Sequence, residues 1–314
     1  MEFNIVTLNK PIFVISDLHI GDRSRRDHFH CEKQLKGFKK FLDYVDSNNG
    51  QLIVLGDLFE FWRYKQEKII SKRKDILDKL NDLGAIYIPG NHDDDSFELS
   101  KTDAHPFFHR VRTPFLKTVG EKRIKFMHGH EFDPFITEKF DSIGKLVNCC
   151  SYMIDLNSKS YLLAHGIVSN AFYAIGERFI QAKQKMSKEM TVEECCVNII
   201  DDKTSSSLTP MRIKKMLSRY YNDKVNEVYD VAIVGHTHKA GHHGDWYFNS
   251  GSWLNGSNDF LVIYPDGAIG SYKWTASGAV SNTKPVTHRE KRFRKKALYP
   301  KLISRKLKRQ LILS

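Results

Sequence analysis

Five short segments hold the residues best suited to chemistry: Asp17 and His19 in SDLH, Asp57 in GDLFE, Asn91 in GNHD, His128 in MHGHE, and His236 and His238 in GHTH. Carboxylates neutralise charge, imidazoles suit borderline metals, and an amide carbonyl adds a neutral oxygen donor. The set therefore fits a pair of divalent cations. Asp57 is the natural bridge, because one carboxylate can offer an oxygen to each ion. Two such ions about 3.5–4 Å apart can bind phosphoryl oxygens, activate water and stabilise both the entering and the leaving oxygen of an in-line displacement. The D-x-H and H-x-H spacings would place both members of each pair on one side of an extended segment. Each motif alone is common, and its plain reading is a cap or a hydrogen-bonded loop residue. Five in order, each after an apolar run, are not readily a coincidence.

Next to these stand residues that could act on a substrate. His92 follows Asn91, and its unperturbed pKa near neutrality suits general acid work; the alternative is a loop histidine without a catalytic part. His130 and Asp133, in HGHEFD, are candidates to orient His128 or a water. Arg63, Tyr64 and Lys239 adjoin the motifs and could touch phosphate or nucleotide, with solvated surface charge as the alternative. The remaining histidines, among them His28 and His105, read as surface or structural.

Something must position these groups. The runs IFVISD at 12–17, LIVLGD at 52–57, IYIPGN at 86–91, IKFMHGH at 124–130 and VAIVGHTH at 231–238 are brief, rich in Ile and Val, and closed by polar residues. They predict buried strands. Glu32–Asp46 and Glu67–Leu83 carry apolar residues at helical spacing, so the pattern is α/β, with function expected at the carboxyl ends of the strands. From about Glu138 to Tyr221 the texture predicts a helical insertion, with acyl-chain contact and internal packing as equal readings of its apolar residues. DWYFNSGSW and FLVIYPDG predict hairpin strands with turns at Asn255–Ser257 and Asp266–Gly267, and Thr275–Pro285 predicts a linker. The expected domains are residues 1–137 with 222–274 as the catalytic body, 138–221 as the insertion, and 275–314 as linker and basic tail.

The motifs D-x-H, GD-x-x-E, GNHD, HGH and GH-x-H, in this order across residues 11 to 264, resemble the calcineurin-like metallophosphoesterase signature. The resemblance implies a two-sheet sandwich flanked by helices, a four-layer αββα fold with a helical insertion. It implies that Asp17, His19, Asp57 and His238 hold one metal and Asp57, Asn91, His128 and His236 the other. His92 would contact the phosphate, with Glu60 or Asp93 orienting it. GDLFEFW at 56–62, the long insertion and YFNSGSW at 247–253 further resemble the UDP-2,3-diacylglucosamine pyrophosphatase branch of lipid A biosynthesis. That likeness implies cleavage of a nucleotide diphospho-lipid to UMP and a lipid phosphate, with manganese, or else zinc, iron or nickel. The sequence departs from that branch at His92, where Arg is typical, which leaves the substrate in question. A nuclease or nucleotide phosphodiesterase is the alternative.

Charge and cysteines narrow the setting. The chain carries a net charge of +12, and Lys284–Ser314 holds twelve Lys or Arg against one acid, Glu290, so nearly all of the excess lies in the tail. Leu302, Ile303, Leu307 and Leu311 recur there at helical spacing among basic residues. A basic amphipathic helix fits an anionic membrane surface, nucleic acid attracts the same charges, and a solvated tail is the plain reading. The five cysteines include the adjacent pairs Cys149–Cys150 and Cys195–Cys196. No disulfide framework is expected from them. The first ten residues lack the pattern of a secretory signal, and no apolar run approaches the roughly 20 residues of a membrane helix, so the expectation is cytoplasmic, with peripheral contact at the inner face of the membrane through the tail.

Overall fold

The computed structural model describes residues 10–25, 27–133 and 210–282. Two mixed sheets lie at its centre. The first runs β11-β10-β9-β1-β2-β3 and the second β4-β5-β6-β8-β7. In the first, β1 (Ile12–Ile15), β2 (Gln51–Leu55) and β3 (Ile86–Ile88) are parallel, while β9 (Asp259–Ile263), β10 (Ile269–Thr275) and β11 (Gly278–Ser281) extend it antiparallel. In the second, β4 (Phe115–Val119) forms a hairpin with β5 (Lys122–Phe126), followed by β6 (Val231–Val234), β8 (Tyr247–Asn249) and β7 (Gly241–His243).

The period of two along each strand sorts the core into layers. Ile12 and Val14 of β1, with Ile53 and Leu55 of β2, join Ile124, Phe126, Val231 and Ile233 in one cluster between the sheets. The alternate residues Phe13, Ile15, Leu52 and Val54 face α1 (Glu32–Ser47) and its neighbours, where Leu35, Phe38, Phe41, Leu42 and Val45 recur at three- and four-residue spacing. Behind the second sheet, Ala232 and Val234 meet Met216 and Tyr220. The order is helix, sheet, sheet, helix, the four-layer αββα sandwich that the motif resemblance implies.

The segment expected as a single helix over Glu67–Leu83 is two, α2 (Gln66–Lys72) and α3 (Lys74–Asp82). Arg73 breaks it. Its backbone leaves the helical region, and its guanidinium turns inward to donate to Gly21 O and Phe29 O, each at 3.0 Å, and to the Asp27 carboxylate. Asp27 in turn accepts from the backbone N–H groups of Gly21, Arg23 and Phe29. This buried pair ties the loop after β1 to the α2–α3 junction. Arg73→Ala would leave Asp27 charged and buried, and the expected loss of stability is about 3–5 kcal/mol in denaturant unfolding. A loss within the ±0.5 kcal/mol of an ordinary surface substitution would contradict that reading.

Two further expectations about elements are corrected. YFNSGSW and FLVIYPDG do not form one hairpin, since β8 belongs to the second sheet and β9 to the first, and Ser250–Asn258 crosses between them. Within the stretch expected as a linker, Gly278–Ser281 pairs with β10 as the edge strand β11. The β4 strand was not foreseen. It is an edge strand in which partly buried Phe115 and Lys117 alternate with exposed Leu116 and Thr118, so it lacks a continuous apolar run. Ser96–Leu99 forms the short α4, and the last helix, α5 (Pro210–Glu227), runs across the boundary expected at 221/222. Of the insertion expected over 138–221, residues 138–209 lie outside the described residues, as do residues 283–314 of the linker and tail expected over 275–314. Among the described residues no helix is long and apolar enough to cross a membrane.

Candidate metal centre

The loops leaving β1, β2, β3, β5 and β6 meet at one end of the sandwich. Leu18 and His19 donate their N–H groups to Asp57 O at 2.9 Å, and Asp17 donates to Gly56 O at 3.1 Å, so the first two loops are laced together. The backbone here is not extended. Asp17, His19, Asp57, His236 and His238 all take positive φ, between 50° and 68°. Thus the D-x-H and H-x-H pairs converge through left-handed turns rather than through alternation along a strand. Such conformations are uncommon outside glycine and concentrate at functional sites. Gly90 is required by close approach: a Cβ there would meet Asp57 Oδ1 and the Asp57 backbone.

Besides the cluster of His19, Glu60 and His92, two groups that could hold a cation result: Asp17, His19, Asp57 and His238, and Asp57, His128 and His236. Asp57 belongs to both. Its Oδ1 accepts the His92 N–H at 2.9 Å, and its Oδ2 lies 3.7 Å from His19 Nε2 and 3.4 Å from His128 Nε2. Three imidazoles have one nitrogen already committed. His19 Nδ1 pairs with Glu60 Oε2 at 3.0 Å, His128 Nδ1 donates to Leu55 O at 2.6 Å, and His236 Nε2 pairs with Asp133 Oδ2 at 2.7 Å. Such partners fix the tautomer and leave the other nitrogen as a ligand. Asp17 Oδ2 takes the His236 N–H at 2.9 Å, while Oδ1 faces His238 Nε2 at 3.1 Å.

The donors fit a divalent cation on a test internal to the structure. Among the described residues Asn91 Oδ1 and His128 Nε2 are buried without a hydrogen-bond partner, a costly state for polar atoms that a bound ion would relieve. Electrostatics agree. Burial disfavours charge on His128, yet Asp57 raises it to about 10. Burial likewise disfavours an ionised Asp57, but His128, His92 and His19 hold it well below the usual carboxylate range. A cation taking the His128 lone pair must displace a proton, so uptake is coupled to pH.

Of Glu60 and Asp93, it is Glu60 whose carboxylate contacts the His92 ring. His92 Nδ1 lies 2.9 Å from Glu60 Oε1, so one carboxylate joins His92 and His19 through its two oxygens. Burial lowers the His92 pKa, but Glu60 and then Asp57 outweigh it and raise His92 to about 9. Asp93 instead accepts the N–H groups of Asp57, Leu58, Phe59 and Gly90 and the Tyr87 hydroxyl, shaping the loop backbone. Asp133 orients His236, not His128. His130 lies with its ring 5.4 Å from that of His128 and is half-buried, and burial lowers it to about 4. Arg63 is buried against the Tyr64 ring, with Nη1 3.4 Å from His28. Lys239 is half-buried and makes no hydrogen bond or ion pair among the described residues. Trp62 went unremarked in the sequence. Its indole stacks on the His92 ring with centroids 3.9 Å apart and planes at 21°, a contact that the run GDLFEFW could have suggested but not located.

Asp and His side chains gathered at the loop end of an αββα sandwich, in groups that could hold cations, are what a metal-dependent hydrolase requires. The family profile described as Calcineurin-like phosphoesterase matches residues 10–240, and the chain belongs to that family. A comparison with curated proteins gives no match. Among solved structures, the chain is similar to vacuolar protein sorting 29 from Cryptosporidium parvum, at 11% identity over 88% of this chain and 98% of that one, with a TM-score of 0.40. It is also similar to a conserved predicted phosphoesterase from Streptococcus pneumoniae, at 12% identity over 87% and 96%, with a TM-score of 0.32.

Proposed function

We propose that the chain hydrolyses a phosphoester with two divalent cations, one held by Asp17, His19, Asp57 and His238 and the other by Asp57, Asn91, His128 and His236. The observation that carries this reading is Asp57 Oδ2, within 3.7 Å of His19 Nε2 and 3.4 Å of His128 Nε2, with Asn91 Oδ1 buried and lacking a hydrogen-bond partner among the described residues. When bound, the cations would supply charge for the phosphoryl oxygens and lower the pKa of water. His92, with Nδ1 on Glu60 and its face against Trp62, is left to give its Nε2 proton to the leaving oxygen as the P–O bond breaks. Glu60 keeps the imidazole charged until then.

Within this class, our reading is a nucleotide-linked lipid diphosphate of the UDP-diacylglucosamine type, cleaved to UMP and lipid phosphate, with manganese as the metal. GDLFEFW, YFNSGSW and the long insertion support it, and the basic tail from Lys284 would favour an anionic membrane where such a lipid resides. The test is one panel with the full chain and Mn²⁺: UDP-diacylglucosamine in anionic vesicles, a soluble phosphodiester, and single-stranded DNA, with products read by mass spectrometry. UMP and lipid phosphate are expected, at a kcat/KM well above that for the other two. Faster cleavage of DNA would replace this substrate by the nuclease alternative. No metal-dependent cleavage of any member would remove the hydrolase reading itself.

A further inference from the structure

The described residues on the two sides of 134–209, Asp133 and α5, both touch the same group of donors. Asp133 holds His236, as described above. From α5, the fully buried Tyr220 donates its hydroxyl to Gly129 O at 2.9 Å, and Gly129 is the residue between His128 and His130. The Tyr220 ring packs on Phe132 with centroids 4.6 Å apart, and Arg219 Nη1 reaches Phe132 O at 3.4 Å. Gly129 sits at φ 114°, and a Cβ there would run into the Tyr220 hydroxyl. The glycine and the tyrosine are therefore matched to each other.

The helix is itself firmly seated. Lys125 of β5 binds Asp223 at 2.8 Å and Glu227 at 2.7 Å, and Tyr229 donates to Asp223 at 2.8 Å. His128 is thus gripped from two sides, by Leu55 O at its ring and by Tyr220 through the next peptide. Comparable contacts to the loops bearing Asp17 and His19 come from other elements, such as Trp253 N on Asp17 O at 3.1 Å.

We propose that Tyr220 is a positioning residue for the second cation alone, holding the His128 loop in its ligating geometry through Gly129 O. The inference rests on the two-cation reading above. Partners that orient ligands typically change metal affinity 10–100-fold when lost. A single hydroxyl acting through a backbone carbonyl belongs at the lower end.

The experiment is Mn²⁺ titration of the full chain by calorimetry and electron paramagnetic resonance, comparing wild type, Tyr220→Phe and Tyr229→Phe. Tyr229→Phe is the control, because it removes a buried hydroxyl anchored on the same helix without touching the loop. Wild type should show two binding steps. Tyr220→Phe should weaken one of them about tenfold and leave the other in place, and Tyr229→Phe should change neither. Two unchanged steps in Tyr220→Phe overturn the inference, as does equal weakening in Tyr229→Phe, which would reduce Tyr220 to a support of the helix. A wild type with fewer than two steps overturns the two-cation reading first, and this inference with it.

Discussion

Asp57→Ala should leave a folded protein that has lost both cations and its turnover. The reason is the position of one atom: Oδ2 faces His19 Nε2 on one side and His128 Nε2 on the other. No other residue belongs to both groups. Removing it takes a ligand and a negative charge from each site at once, so neither keeps the donor set of a tight divalent site. Bound cations supply several kcal/mol of charge stabilisation, which corresponds to about 10³–10⁴-fold in rate. Elemental analysis should find less than one equivalent of metal, where wild type holds two. Asp57→Asn separates the electrostatic loss from the structural one. Its amide oxygen still accepts the His92 N–H, so thermal unfolding should stay near that of wild type while metal content falls. An Asp57→Ala protein with wild-type metal content and rate would end the bridging assignment.

His92→Ala should lower kcat by about 10²–10⁴-fold, the usual worth of a positioned general acid, with both cations still bound. His92 stands outside the two groups that share Asp57, though it clusters with His19 and Glu60, and its backbone N–H donates to the Asp57 carboxylate. Its imidazole answers to Glu60 and Trp62. A general acid acts while protonated, so the alkaline limb of the pH–rate profile should report His92. Burial alone would place that limb low, and the Glu60 charge raises it. Glu60→Gln removes that charge, so the limb should move toward lower pH. A limb that stays put in Glu60→Gln, or loss of metal in His92→Ala, would show that the division between cation-holding and proton-donating residues is wrong.

Much of the centre was legible because strong local signals coincided. Apolar runs ending in polar residues located β1, β2, β3, β5 and β6, and all seven candidate donors sit where those runs give out. The unbroken apolar runs read as buried strands, whereas the layered sandwich was implied by the motif resemblance and not by any periodicity. Local reasoning failed wherever a distant group decided the matter. Arg73 ends a helix that its own periodicity would continue, because Asp27 and two loop carbonyls draw the guanidinium inward. The D-x-H and H-x-H pairs were read as extended, yet left-handed turns bring them together, a backbone cost that contacts between loops must hold in place.

The sequence by itself determined the donor types, their order along the chain and the strands that carry them, since these follow from side-chain chemistry and short-range hydrophobic period. Only the tertiary structure decided who partners whom. Glu60, 32 residues earlier, meets His92 in place of the adjacent Asp93, because Asp93 spends its oxygens on four backbone N–H groups and Tyr87. Asp133 finds His236, about a hundred residues on, and Tyr220 finds Gly129 from the far side of the 134–209 stretch. Pairings over such separations leave no periodic trace in the chain, because each is set by the packing of β5, β6 and α5 and not by the residues next to it.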